Sequence, residues 1–271
     1  MQILIPILIL LAIAAVCAVL LTLADHYFGV PVDKREAEVR ECLPGANCGA
    51  CGYNGCDAYA KALASGECDN PSLCVPGGDG TAKDIGKILG LEAEGVVEQV
   101  AYVACNGNCD VTRRKFDFQG KKSCRIAHMA YSGDKLCSYA CLGYGDCVAA
   151  CPEGAIEIKN GVAEIDPRIC IGCGVCTRTC PSHVIHLMAD TSRVALKCSS
   201  HAKGADTRRA CTNGCIACGK CEKNCPHDAI HVVNNLATID YEKCTGCGKC
   251  AEVCPVKCIE EGSFICGARK G

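Results

Sequence analysis

The chain has 271 residues, a net charge of −2 from 28 Lys and Arg against 30 Asp and Glu, and 30 Cys, about 11% of the whole. The charge balance offers no basic signature for a nucleic acid. Such a density of thiols means either the disulfide scaffold of a short secreted chain or thiolate ligation of metal. With no Trp and only four Phe, small modules need a staple beyond an apolar core.

Residues 1–24 carry no charged side chain, and Ile3 to Leu23 is apolar apart from Pro6 and Thr22. That length spans a bilayer as a helix. A cleaved signal peptide would want a basic leader and a small-residue cleavage site, and neither is evident. Ala14-Ala15-Val16-Cys17 is a poor lipoprotein site, so Cys17 reads as a small apolar helix residue. Lys34, Arg35 and Arg40 follow the span, which places the body on the cytoplasmic side of the cell membrane as a single-pass protein. That compartment is reducing and keeps thiols free for metal. Residues 1–24 are therefore expected as a transmembrane helix in contact with lipid, and 25–35 as a linker.

Residues 36–100 are expected as a small cluster domain. Cys48, Cys51 and Cys56 fall within nine residues, with glycines at 49, 52 and 55 letting the backbone wrap closely. A helix is expected over 57–65 with Gly66 as its stop, and a capping box at Thr81–Asp84 opens another that ends at Gly90. Zinc knuckles use two separated pairs, whereas three close thiols plus a remote one suit a [4Fe-4S] cube. Cys74, in a Pro/Gly turn, is the preferred fourth ligand, with Cys68 and then Cys42 as competitors.

Beyond residue 100, nine cysteines recur at a fixed offset of 74 residues, from Cys124/Cys198 through Cys180/Cys254. In the second copy, Cys215, Cys218, Cys221, Cys225-Pro and Cys244, Cys247, Cys250, Cys254-Pro each read C-x2-C-x2-C-x3-C-P. Two such runs are the signature of a two-cluster bacterial ferredoxin, in which the fourth Cys of each run ligates the other cluster. One cluster is thus expected on Cys215, Cys218, Cys221 and Cys254, and another on Cys244, Cys247, Cys250 and Cys225. In the first copy, Cys170, Cys173, Cys176 and Cys180-Pro are intact, but Tyr144 stands where the second copy has Cys218. Cys137 is the expected substitute. The assignments become Cys137, Cys141, Cys147 and Cys180 for one cluster, and Cys170, Cys173, Cys176 and Cys151 for the other. Cys137→Ala is then expected to lose iron and Cys211→Ala not. Hairpins are expected at 155–165 around Asn160-Gly161 and at 229–239 around Asn234-Asn235.

Cys105, Cys109, Cys124, Cys198, Cys211, Cys258 and Cys266 are left over. Cys105, Cys109, Cys124 and Cys198 form a candidate sixth site where the modules meet; the alternative is buried thiols packing as small apolar residues. His183, His186, His227 and His231 lie close to the runs, but each run already has four thiols, so they read as surface or supporting residues. The expected fold is α+β: the transmembrane helix, the 36–100 domain, a connecting segment 101–134, a first ferredoxin module 135–190, a connector 191–209 and a second module 210–271. No dinucleotide or P-loop fingerprint and no catalytic residue is visible.

The order of a membrane helix, Cys48-Gly-Ala-Cys51-Gly-Tyr-Asn-Gly-Cys56, Cys105-Asn-Gly-Asn-Cys109 and the two modules resembles the B subunit of the Rnf complex (RnfB), in its longer form from anaerobes. The resemblance implies the iron–sulfur subunit of a membrane-bound, ion-translocating ferredoxin:NAD oxidoreductase that drives Na⁺ or H⁺. It implies soluble ferredoxin as electron donor and, as partners, other subunits carrying flavin and NAD sites. At least five [4Fe-4S] clusters are expected. Other classes are a membrane-tethered polyferredoxin feeding an unrelated reductase without ion pumping, and a scaffold whose clusters are structural.

Overall fold

The computed structural model describes residues 4–28 and 33–262, with side chains of the first helix described at residues 7, 11–20, 22 and 23. Cys266 and part of the expected 25–35 linker lie outside the described residues. Helix α1 (Leu4–Phe28) has 25 residues. Among the described residues no helix is long and apolar enough to cross a membrane; the continuous stretch of α1 with described side chains is residues 11–20, all exposed.

The first compact unit is three helices, α2 (Lys34–Cys42), α3 (Cys56–Ser65) and α4 (Gly78–Leu89). Asp33 caps α2, its carboxylate accepting from the Arg35 N–H. Gly66 and Gly90 end α3 and α4 in the left-handed conformation, as expected. Val39, Tyr59 and Ile85 are fully buried where the three helices meet, each worth roughly 1.5–3 kcal/mol of apolar transfer. The expected capping box does not open α4. The chain leaves a 3₁₀ turn at Val75–Gly77 and enters α4 directly at Gly78. Thr81 is therefore inside the helix, and its hydroxyl donates to the Cys42 carbonyl at 3.3 Å.

The rest of the described chain is built from short pieces around cysteines. Strands β1 (Gln99–Val103), β2 (Ile156–Lys159), β3 (Val162–Ile165) and β4 (Ile185–Ala189) accompany α5 (Cys124–Met129), α6 (Asp146–Ala150) and α7 (Val175–Thr179). Then follow β5 (Val194–Leu196), α8 (Gly204–Ala210), α9 (Lys220–Lys223), β6 (Ile230–Val233), β7 (Leu236–Ile239), α10 (Lys249–Glu252) and β8 (Ile259–Glu261). The hairpins form where the turn residues place them: Ile156 pairs with Ile165 and Ile230 with Ile239. Asn160 and Gly161, and Asn234 and Asn235, all take positive φ, as a two-residue hairpin turn requires.

Two further antiparallel pairs, β1–β4 and β5–β8, tie each module's start to its end. Periodicity does not announce them, because their partners lie far apart in sequence. They also carry each module upstream of the expected starts at 135 and 210, into the segments read as connectors. The modules correspond along these strands with an offset of their own. The Ala104 N–H donates to the Val184 carbonyl and the Lys197 N–H to the Cys258 carbonyl, both at 2.7 Å. Val184 and Cys258 obey the 74-residue repeat, while Ala104 and Lys197 are 93 apart. The first module thus carries an insertion between its first strand and its first cysteine run, and α5 lies in it.

Candidate cluster sites

One local device positions every ferredoxin-type run. Glycines 145, 174, 219 and 248 take left-handed φ and open α6, α7, α9 and α10. Each of these single-turn helices holds the third Cys of its run: Cys147, Cys176, Cys221 and Cys250. The fourth Cys follows the helix and is itself followed by Pro152, Pro181, Pro226 or Pro255, which cannot continue a helix.

The geometry brings the expected sulfurs together. Cys151, Cys170, Cys173 and Cys176 line one cavity of about 20 Å³, and Cys225, Cys244, Cys247 and Cys250 another of the same size. Cys215, Cys218, Cys221 and Cys254 line a third, of about 10 Å³. In the N-terminal unit, burial pushes the Cys74 thiol up to about 11, with Cys51, Cys56 and Cys48 adding to the shift as neighbouring charges. Those four sulfurs form one group. Cys68 turns elsewhere, towards the Asn70 carbonyl at 3.7 Å and the Tyr53 hydroxyl. Asn47 fixes the start of α3 by accepting the Cys56 N–H at 2.8 Å.

The altered run of the first module is arranged differently from its sequence expectation. Burial pushes the Cys147 thiol up to about 12, and the neighbouring charges that add to it are Cys141, Cys124 and Cys180. Cys137 is absent from that group. Its charged neighbours are Cys105 and Cys211, and Ser200 bonds to its sulfur. Cys124 stands beside Cys147 for a physical reason. Tyr144 packs on Phe118, with ring centroids 5.8 Å apart, and both join Leu142, Ala127 and Cys124 in one apolar cluster. Asp146 then holds the start of α5 through the Ser123 hydroxyl at 2.9 Å and the Arg125 N–H at 3.0 Å. The tyrosine that removed a thiol thus anchors the insertion that delivers one.

The candidate sixth set is likewise divided. Cys105 and Cys198 line one cavity, Cys124 stands beside Cys147, and Cys109 lies exposed over the first hairpin. There Gly161 must be glycine: its φ is +76° and a Cβ would stand 2.6 Å from Cys109 Sγ. Cys258, the counterpart of Val184, is a fifth thiol beside the Cys215 site. It lies 3.6 Å from Cys254 Sγ, and hydrogen bonding to it lowers the Cys254 and Cys215 thiols. Of the histidines, His231 sits 3.2 Å from Glu222 rather than on a sulfur group.

The donor sets fit an iron–sulfur group better than a single ion. Among the described residues, no three Cys, His, Asp or Glu side chains converge to hold one metal ion. A tetrahedral thiolate site with metal–sulfur bonds of about 2.3 Å would draw its sulfurs to within roughly 4 Å of one another. Here three of the quartets line small cavities, and every described cysteine is free. Backbone N–H groups aim at the sulfurs: Ala163 to Cys141, Ala101 to Cys170 and Ala229 to Cys225, each at 3.4 Å. Such bonds stabilise thiolates at a cluster and tune its potential.

The Fe-S cluster family matches residues 43–76, and 4Fe-4S dicluster families match 140–184, 169–230 and 209–261. The B subunit of the Na(+)-translocating ferredoxin:NAD(+) oxidoreductase complex of Acetobacterium woodii is 42% identical over 95% of this chain and 77% of its own length. The B subunit of the proton-translocating ferredoxin:NAD(+) oxidoreductase complex of Clostridium ljungdahlii is 42% identical over 86% of this chain and 82% of its own. The chain belongs to the RnfB family. A Methanosarcina acetivorans member, named as the B subunit of an ion-translocating oxidoreductase complex, is 39% identical over 83% of this chain and 86% of its own. The two relatives at 42% are named for different ions.

One buried cation sits among the family's sulfurs in this chain. Lys135 is 3% exposed, and its ammonium donates to the Gly107 and Gly161 carbonyls at 2.8 Å each. Its charge opposes the burial that pushes the Cys141 thiol up to about 11. Lys135→Met would leave both carbonyls without a donor, at roughly 1–3 kcal/mol for each buried group. A lower denaturant midpoint than wild type, in a chemical unfolding series, is the expected result.

Proposed function

We propose that this chain is the iron–sulfur subunit of a membrane-bound, ion-translocating ferredoxin:NAD⁺ oxidoreductase, taking electrons from a soluble ferredoxin and relaying them to other subunits. A [4Fe-4S] cluster at each quartet would supply a one-electron couple. The observation that carries this reading is the succession of cysteine groups through the fold. The Arg178 guanidinium donates to the Cys48 carbonyl at 2.7 Å, and Cys48 is the foremost neighbouring charge acting on the Cys173 thiol. The N-terminal group thus abuts the Cys170 group of the first module. Tyr102 of the first module bonds to Tyr241, which feels the Cys244 and Cys250 thiols.

Five quartets follow as ligands: Cys48, Cys51, Cys56 and Cys74; Cys151, Cys170, Cys173 and Cys176; Cys124, Cys141, Cys147 and Cys180; Cys215, Cys218, Cys221 and Cys254; Cys225, Cys244, Cys247 and Cys250. The chain's own contribution is to hold the sulfurs and to donate N–H groups to them. A structural scaffold would have no need of a continuous succession. The uncharged stretch Ile3–Leu23 followed by Lys34, Arg35 and Arg40 supports an anchor in the cell membrane with the body on the cytoplasmic side.

Anaerobic titration of the full chain in detergent with a reduced soluble ferredoxin tests the reading. Bleaching of the iron–sulfur absorption is expected, and clusters that stay oxidised would exclude electron entry from that donor. In cell fractionation, the full chain should sediment with membranes and a version lacking residues 1–28 should not. For the altered run, Cys124→Ala should lose one to four irons in an iron assay, whereas Cys109→Ala should lose none. Equal losses would return the fourth ligand to open choice.

A further inference from the structure

We propose that Cys105, Cys137, Cys198 and Cys211 hold a further [4Fe-4S] cluster at the seam between the two ferredoxin modules. The four line one cavity of about 20 Å³, the same size as two of the cavities inside the modules. Cys105, Cys198 and Cys211 are each no more than 9% exposed, and Cys137 is half-buried.

The four come from two positions used twice. Cys105 and Cys198 each follow the first strand of a module by two residues, and Cys137 and Cys211 each lie four residues before its first cysteine run. The first pair obeys the 93-residue offset and the second the 74-residue repeat. The seam is closed by main-chain bonds: Asn106 N–H to Lys197 O at 3.0 Å, Arg113 N–H to Ala210 O at 3.1 Å and Thr212 N–H to Val111 O at 3.1 Å. Thr112 also bridges to Cys211 in antiparallel fashion.

The sulfurs are dressed as thiolates. Cys105 Sγ accepts from the Gly107 and Cys141 N–H groups, both at 3.4 Å. Cys198 Sγ accepts from the Ser200 N–H at 3.5 Å and the Cys215 N–H at 3.3 Å. The Thr112 hydroxyl stands 3.7 Å from Cys211 Sγ, and Ser200 bonds to Cys137. A neutral thiol is a weak acceptor, so four thiols buried merely as small apolar residues would call for none of this. Thr112, Ser200 and Thr207 are three of the five buried polar residues among the described ones, and all line this cavity. Burying hydroxyls is costly unless they are bonded; here two of them face sulfur.

The donors also set the position of the site. Cys141 belongs to the nearest quartet of the first module and Cys215 to that of the second, and each donates its N–H to a seam sulfur. A cluster here stands between those two quartets, where it would take one electron from either side and pass it on, with no bond broken and no proton moved. Its electrons come from the same low-potential ferredoxin-class donor, so its redox role rests on the relay reading. Its existence does not.

The test is metal content of the anaerobically purified full chain. Wild type should hold about twenty-four irons, four at each of six sites, and native mass spectrometry of the same sample should count six clusters without any variant. Cys198→Ala/Cys211→Ala should fall to about twenty irons, and its reductive titration should take up about five electrons instead of about six. Cys109→Ala, which removes an exposed thiol outside every quartet, should keep the wild-type count. About twenty irons in wild type, or zinc replacing the last four, would overturn the seam cluster and leave the relay standing. A double variant that keeps all its iron would overturn the ligand set. A full complement that no ferredoxin reduces would instead sink the relay and leave the seam site supported.

Discussion

Everything in this molecule beyond its three-helix unit depends on sulfurs from distant stretches meeting around a void. Helices of four or five residues are too short to persist alone, and isolated two-stranded ribbons are marginal in water. The ferredoxin modules contain little else, and they have few large apolar side chains to bury. The free energy of metal binding must therefore supply most of what a core would supply elsewhere. That explains a chain that spends a ninth of its residues on one amino acid and no residue on tryptophan.

The parts legible in the sequence are those set by local chemistry. The intact runs state their own geometry, because a left-handed glycine, a single helical turn and a terminating proline follow directly from residue order. Asn160-Gly161 and Asn234-Asn235 announce their hairpins for the same reason. Long-range pairing is silent: β1 and β5 carry no local mark of their partners, so they read as connectors. The placing of Cys124, rather than Cys137, beside Cys147 is hidden by arithmetic. Cys124 and Cys198 share the 74-residue offset by position alone; the strand pairing makes Cys105 the counterpart of Cys198. The signal that points to the position of Cys124 is Phe116 to Phe118 beside an unusual Tyr144, an aromatic pair in a chain poor in aromatics.

Electrostatics constrains the interior as firmly as packing does. Clustered thiolates accumulate negative charge, and where they are buried unrelieved charge is expensive. The fold answers with backbone N–H groups aimed at sulfur and with Lys135, a cation held between two carbonyls in the region where both modules and the insertion converge. Asp134, fully buried beside it, is matched by Arg114 at 3.1 Å.

The crossed ligation of each module has a consequence for how the chain is made. Because Cys176 completes a cavity begun at Cys151, and Cys254 one begun at Cys215, no ferredoxin module can gather its sulfurs until both of its runs have left the ribosome. Synthesis runs from the N-terminus, so the Cys48 group can gather as soon as Cys74 emerges, the Cys151 group at Cys176 and the Cys215 group at Cys254. The order of synthesis thus sets the order in which the sulfur groups can assemble, each a folded platform for the next.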